Sequence, residues 1–164
     1  MKRDPALVSL SHDHHQALFV AQKLRRAGAD TAGETRDAFL AYWHERGRAH
    51  FRLEEDVVLP AYAAHGDPYH PLVARALCDH VAIRGHADKL AQDSASTAAA
   101  LNELGVSLAD HVRLEERELF PLIERALPAT ALTALATALE EAEAQARDGF
   151  AGGHQGCPAP PRCD

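Results

Sequence analysis

Of 164 residues only three are cysteine, one is tryptophan and one is methionine, and aromatic residues make up 5% of the chain. An odd cysteine cannot be paired. Cys78 falls inside a helical pattern while Cys157 and Cys163 sit in the C-terminal stretch, so a disulfide framework is excluded and a reducing compartment is expected. Valine, isoleucine and aromatic residues are sparse beside alanine and leucine, which leaves helix favoured over strand. No segment approaches the roughly 18 continuous apolar residues of a membrane span, and Met1-Lys2-Arg3-Asp4-Pro5 has no apolar run behind its charges. A cytoplasmic protein with no membrane association is expected. The 17 Lys and Arg are outnumbered by 24 Asp and Glu, for a formal charge of −7. They form no stripe able to neutralise phosphates, which argues against nucleic acid as a partner.

What the chain does have is apolar residues at helical spacing. A first segment carries Leu7, Leu10, Ala17, Ala21 and Leu24 and ends near Gly28 and Gly33. A second, from about Glu34 to Ala64, carries Phe39, Trp43, Gly47, Val57 and Ala61. Gly66 with Asp67-Pro68 is read as closing it and opening a third, in which Val73, Ala76, Ile83, Ala87 and Leu90 form the stripe. A break over Ser94 to Thr97 precedes a fourth segment with Leu101, Leu104, Leu108, Leu119 and Leu122. From Pro128 an Ala-rich stretch to about Ala146 predicts a short fifth helix. The expected fold is all-α, an up-down-up-down four-helix bundle with that fifth helix, one domain over residues 1–147. Residues 148–164, rich in Gly, Pro and Cys, read as a flexible tail in which His154, Cys157 and Cys163 have no core-forming pattern.

The stripes have gaps, and histidines and glutamates fill them. The phrase His50-Phe51-Arg52-Leu53-Glu54-Glu55, ending at Pro60, returns as His111-Val112-Arg113-Leu114-Glu115-Glu116, ending at Pro121, and a doublet precedes each copy, Asp13-His14 and Asp79-His80. The chain is thus two copies of one helical hairpin. A His at i and a Glu at i+4 lie on one helix face. Measured from turns near residues 31, 66 and 95, the four histidines differ in depth by only about 3 Å, under one helical turn. His14, His50, Glu54, His80, His111 and Glu115 are therefore expected in one layer of the core. A lone buried histidine is usually just a hydrogen-bonded core residue. Two carboxylates and four imidazoles together in a Leu/Ala core would each cost several kcal/mol uncompensated, against a domain stability of about 5–15 kcal/mol. A bound cation removes that conflict. Six N/O ligands without thiolate exceed the needs of one tetrahedral zinc, whereas two Glu able to bridge, with terminal His, suit two iron ions, with manganese or zinc as lesser alternatives. Pro60 and Pro121 are expected to kink or end their helices just past the ligands.

Together with Leu10-Ser11-His12-Asp13-His14-His15, Leu59-Pro60 and Phe120-Pro121, these phrases resemble the hemerythrin-like (HHE cation-binding) family over about residues 6 to 126. The resemblance implies a four-helix bundle around a non-haem di-iron centre that binds or reacts with dioxygen, with Glu54 and Glu115 as bridging carboxylates. Hemerythrins proper carry a second His one turn after the third-helix ligand, where this chain has Arg84. They also use Asp at i+5 on the fourth helix, where this chain has Glu115 at i+4 and Glu116 at i+5. The missing imidazole leaves a coordination position for water, for His15 or His86, or for a small ligand, which adds weight to sensing or redox chemistry. Glu55 and Glu116 are read as exposed or as hydrogen-bonded to a ligand. Asp13, Asp79 and Asp110 are read as helix-surface residues, His12, His44, His65 and His70 as solvated, and Trp43 and Phe51 as core or pocket wall. The function expected is binding or sensing dioxygen or another diatomic molecule, or handling iron, with a redox partner protein possible. A di-iron redox enzyme such as a ferroxidase, and a structural metal-stabilised bundle, are the alternatives.

Overall fold

A computed structural model describes residues 3–92 and 97–151, with side chains described up to Ala146. Most of the expected break from Ser94, and residues 152–164 with His154, Cys157 and Cys163, lie outside the described residues. Among those described there are helices and turns and no strand, and no helix is long and apolar enough to cross a membrane. Helix α1 (Val8–Arg25) follows a 3-10 turn, Pro5–Leu7, capped by the Asp4 carboxylate, which accepts from the Ala6 amide at 2.9 Å. The second arm joins α2 (Ala32–Tyr42), α3 (Arg48–Leu53) and α4 (Leu59–Ala63) through two π-turns, Trp43–Gly47 and Glu54–Val58. The third arm is α5 (Pro71–Gln92). The fourth joins α6 (Ala98–Leu114) and α7 (Phe120–Ala126) through one π-turn, Glu115–Leu119. The fifth helix, α8 (Ala129–Ala151), packs across Pro5–Leu7 and the second arm and runs past the expected boundary at 147.

Pro60 and Pro121 neither end nor break their arms. Each is the second residue of an α segment that continues the arm. Just upstream, the amide of Leu59 reaches back five residues to the Glu54 carbonyl, and that of Phe120 to the Glu115 carbonyl. The proline has no amide to give, and the widened turn ahead of it lets the arm pass through. This insertion also advances the buried face by one residue. Val58, Tyr62 and Ile123 are buried where a steady helical period points to Val57, Ala61 and Leu122, which are only partly buried.

The third arm also starts later than expected. Asp67 accepts from the Tyr69 amide at 2.9 Å and so caps a turn rather than a helix. Pro71 opens α5, and His70, read as solvated in the sequence, accepts from the Leu72 amide through Nδ1 at 3.2 Å. Helices α1 and α6 approach closely at Gly105, where an added Cβ would lie 2.8 Å from the Ala21 carbonyl oxygen and the Arg25 nitrogen. Asn102 ties the same seam, donating to the Leu24 carbonyl at 2.8 Å.

The core divides into two apolar clusters. One contains Ala17, Leu24, Phe39, Trp43, Ile83 and Leu104. The other contains Leu10, Val58, Tyr62, Ala76, Ile123 and Leu139, the last from α8. Along every arm of the bundle the His and Glu positions fall between members of the first cluster and members of the second, so a polar layer crosses the middle of the core.

Candidate metal centre

Among the described residues six polar side chains are buried in the core, and they are His14, His50, Glu54, His80, His111 and Glu115, each 0–6% exposed. They form two nests, His14-His50-Glu54-Glu115 and Glu54-His80-His111-Glu115, in each of which one ligand atom per residue lies within 4.8 Å of all the others. Both nests share the two glutamates. Glu54 turns Oε1 towards His50 Nε2 at 3.3 Å and Oε2 towards His80 Nε2 at 3.2 Å. Glu115 brings Oε2 within 3.1 Å of His14 Nε2 and 3.2 Å of His111 Nε2, and Oε1 within 3.7 Å of His80 Nε2.

The atoms are close but not mutually satisfied. Both oxygens of Glu54, Oε2 of Glu115, Nε2 of His80 and both ring nitrogens of His111 are buried and make no hydrogen bond. Unpaired buried groups of this kind cost roughly 1–3 kcal/mol each, more when charged. Nε2 of His14 faces Nε2 of His50 at 3.0 Å. Each ring's Nδ1 lies against a carboxylate and is thereby assigned the proton, so two lone pairs would oppose each other unless a positive charge lies between them. Donors about 2.1 Å from a common ion are roughly 3–4 Å apart, the spacing seen here. The residues present fit a metal cation.

Each Nδ1 meets a carboxylate from a neighbouring arm. His14 is 2.7 Å from Glu116, which Ser11 and Arg3 also hold at 2.7 Å. His80 is 2.7 Å from Glu55, which Arg84 grips with both guanidinium nitrogens at 2.7 and 2.9 Å. His50 is 3.4 Å from Asp13, and His111 lies 3.8 Å from Asp79, too far for a hydrogen bond. The four links close a ring, first arm to second, second to third, third to fourth and fourth to first. Asp13 and Asp79, read in the sequence as surface residues, are half-buried members of it; their repeated place just before a histidine was the available signal. Asp110 is exposed and pairs with Arg113. Aromatic faces complete the walls, Phe51 stacked on His80 at 3.9 Å and Phe120 on His14 at 5.2 Å.

Of the reserve candidates, Glu55 and Glu116 are brought to the site as partners of imidazoles, while His15 is exposed, His86 half-buried, and neither joins a nest. Arg84 turns to Glu55 rather than into a nest.

The inward histidines and glutamates hold one another in their charged forms. Burial opposes protonation of His14, but the neighbouring carboxylates of Glu115, Glu116 and Glu54 outweigh it and push its pKa up to about 11. His80 is pushed up to about 10, burial being overcome by Glu115 and Glu54. Against the same penalty the Glu54 charge and the Asp13 hydrogen bond push His50 up to about 9. Burial alone would raise Glu54, yet the histidines around it hold it well below the usual carboxylate range. Glu116, pulled the other way by burial, falls to about 2 through His14, Ser11 and Arg3. In the absence of metal, protons on His14, His50 and His80 supply the positive charge the carboxylates demand, and a cation competes for the same place.

A helical bundle with a buried His/Glu layer of this kind defines a cation-binding class. The Hemerythrin HHE cation binding domain matches residues 6–123, and the chain belongs to that family. No curated protein and no solved structure matches the chain.

Proposed function

We propose that the chain is a non-haem di-iron protein that binds or senses dioxygen or another small diatomic molecule. The observation that carries this reading is the pair of nests sharing Glu54 and Glu115, since Glu54 directs its two oxygens to different nests. Each nest offers two imidazoles and a share of two carboxylates, a hard N/O set without thiolate that suits iron or manganese. His14 and His50 would hold one ion, His80 and His111 the other, and Glu54 and Glu115 would bridge. An iron pair so held supplies coordination positions for a small ligand and electrons for its reduction. Phe51, Phe120 and the two apolar clusters keep bulk water from the layer.

The test is metal content and response to oxygen. Anaerobic reconstitution with ferrous iron is expected to give about two equivalents per chain, as in the di-iron carboxylate bundles. A reproducible single zinc with no iron uptake would sink the assignment. Exposure of the reduced protein to oxygen then separates a binding protein, in which consumption stops at stoichiometric uptake, from an oxygen- or peroxide-consuming enzyme that turns over with added reductant.

A further inference from the structure

We propose that the cleft between α1, the second arm and α8 is the path by which divalent cations reach the buried layer, with His50 the first ligand they meet. This rests on the reading of that layer as a metal centre. The cleft has a volume of about 550 Å³, and its walls include Asp13, Glu45, Arg46, Ala49, His50 and Glu143. His50 thus belongs both to a nest and to the wall of an open cleft. At 6% exposure it is the least covered of the six inward residues, the others lying at 0–2%.

His50 is also held more loosely than two of its counterparts. Its Nδ1 contact to Asp13 is 3.4 Å, against 2.7 Å for both His14 and His80. It rides on α3, a six-residue segment with a π-turn at either end, whereas His111, its counterpart in the repeat, rides on the unbroken 17-residue α6. The wall charges suit a cation. Three carboxylates, Asp13, Glu45 and Glu143, outnumber the wall's cations, which are Arg46, 4.0 Å from Asp13, and the protonated His50 of the metal-free protein. A cleft in which one sign of charge predominates concentrates the opposite ion and raises its rate of arrival.

The test is the rate at which metal-free full-length protein takes up ferrous iron under anaerobic stopped flow. The readout is quenching of Trp43, the single tryptophan, which packs edge-on against Phe51 at 5.4 Å. Glu45→Lys with Glu143→Lys is expected to slow uptake about tenfold at low salt, to flatten its salt dependence and to leave the final stoichiometry unchanged. Arg46→Gln is expected to accelerate uptake. Glu34→Lys with Asp88→Lys, an equal change of net charge outside the cleft, is expected to keep the parent rate. Equal rates in the parent and the cleft variants, or equal slowing by the control pair, overturns the path while the metal centre stands. A parent chain that takes up no divalent ion overturns the metal centre and the path with it.

Discussion

Each of the four imidazoles turns one nitrogen into the layer and the other towards a carboxylate, within hydrogen-bond distance for all but His111, and this division of labour separates the roles of the four glutamates. Glu54 and Glu115 are shared by both nests. Glu54→Ala and Glu115→Ala are therefore expected to abolish two-ion loading. Glu55→Ala and Glu116→Ala leave all six inward donors in place and remove only the partner that orients His80 or His14, a change that weakens affinity by about 10–100-fold. Titration against a competing chelator measures both, and equal losses within each pair would show that the helical register assigned to the ligands is wrong. The inward set was legible in the sequence because His and Glu four residues apart fill gaps in an apolar stripe. Of the outer ring, Glu55 and Glu116 were legible as hydrogen-bond partners of a ligand, whereas Asp13 and Asp79 were not, since they sit about 100° round their helices from the neighbouring histidines. They meet His50 and His111 of the following arm, a relation that only the docking of arms creates.

At the scale of the element, the helices and their order follow from Leu/Ala periodicity, but the π-turns do not. A period of 3.6 carried through Glu54 and Glu115 points to Val57, Ala61 and Leu122, and the inserted residue moves burial to Val58, Tyr62 and Ile123. Proline six residues after each glutamate is the one local trace of that widening, and it reads equally well as a break. Glycines give a sharper test of how the arms pack. Gly85, inside α5, has nothing within 4 Å of an added Cβ, so Gly85→Ala is expected to stabilise by about 0.5–1 kcal/mol. Gly105→Ala would set a methyl group 2.8 Å from the backbone of α1, and a cost of about 1–3 kcal/mol is expected. Denaturant midpoints of the metal-loaded variants decide the matter; a Gly105→Ala protein as stable as its parent would mean that α1 and α6 are further apart than described.

For the whole molecule, the buried charges tie stability to pH. In the metal-free protein the histidine contribution is fully present below the ordinary value of 6.5 and is lost as pH rises through about 9, 10 and 11, the raised values of His50, His80 and His14. The Glu54 and Glu115 contribution runs the other way, present above their ordinary value of 4.5 and lost as pH falls below it. Metal-free stability is therefore expected to plateau between about pH 5 and 6.5 and to fall on both sides, and chemical denaturation across pH 3 to 11 checks it. Metal should remove the alkaline loss, because the ion takes over the protons' place; a loaded protein that weakens in parallel with the metal-free one would contradict the site. The ring of carboxylates has a consequence for the chain as a pair of halves. The links inside each half, Asp13 to His50 and Asp79 to His111, are the long ones, and those between halves, Glu55 to His80 and Glu116 to His14, are the 2.7 Å ones. Each half supplies three donors of one nest and the fourth donor of the other. The polypeptide is thus organised as a two-fold dimer written in a single strand, in which neither half owns a finished site and docking the halves and completing the nests are one event.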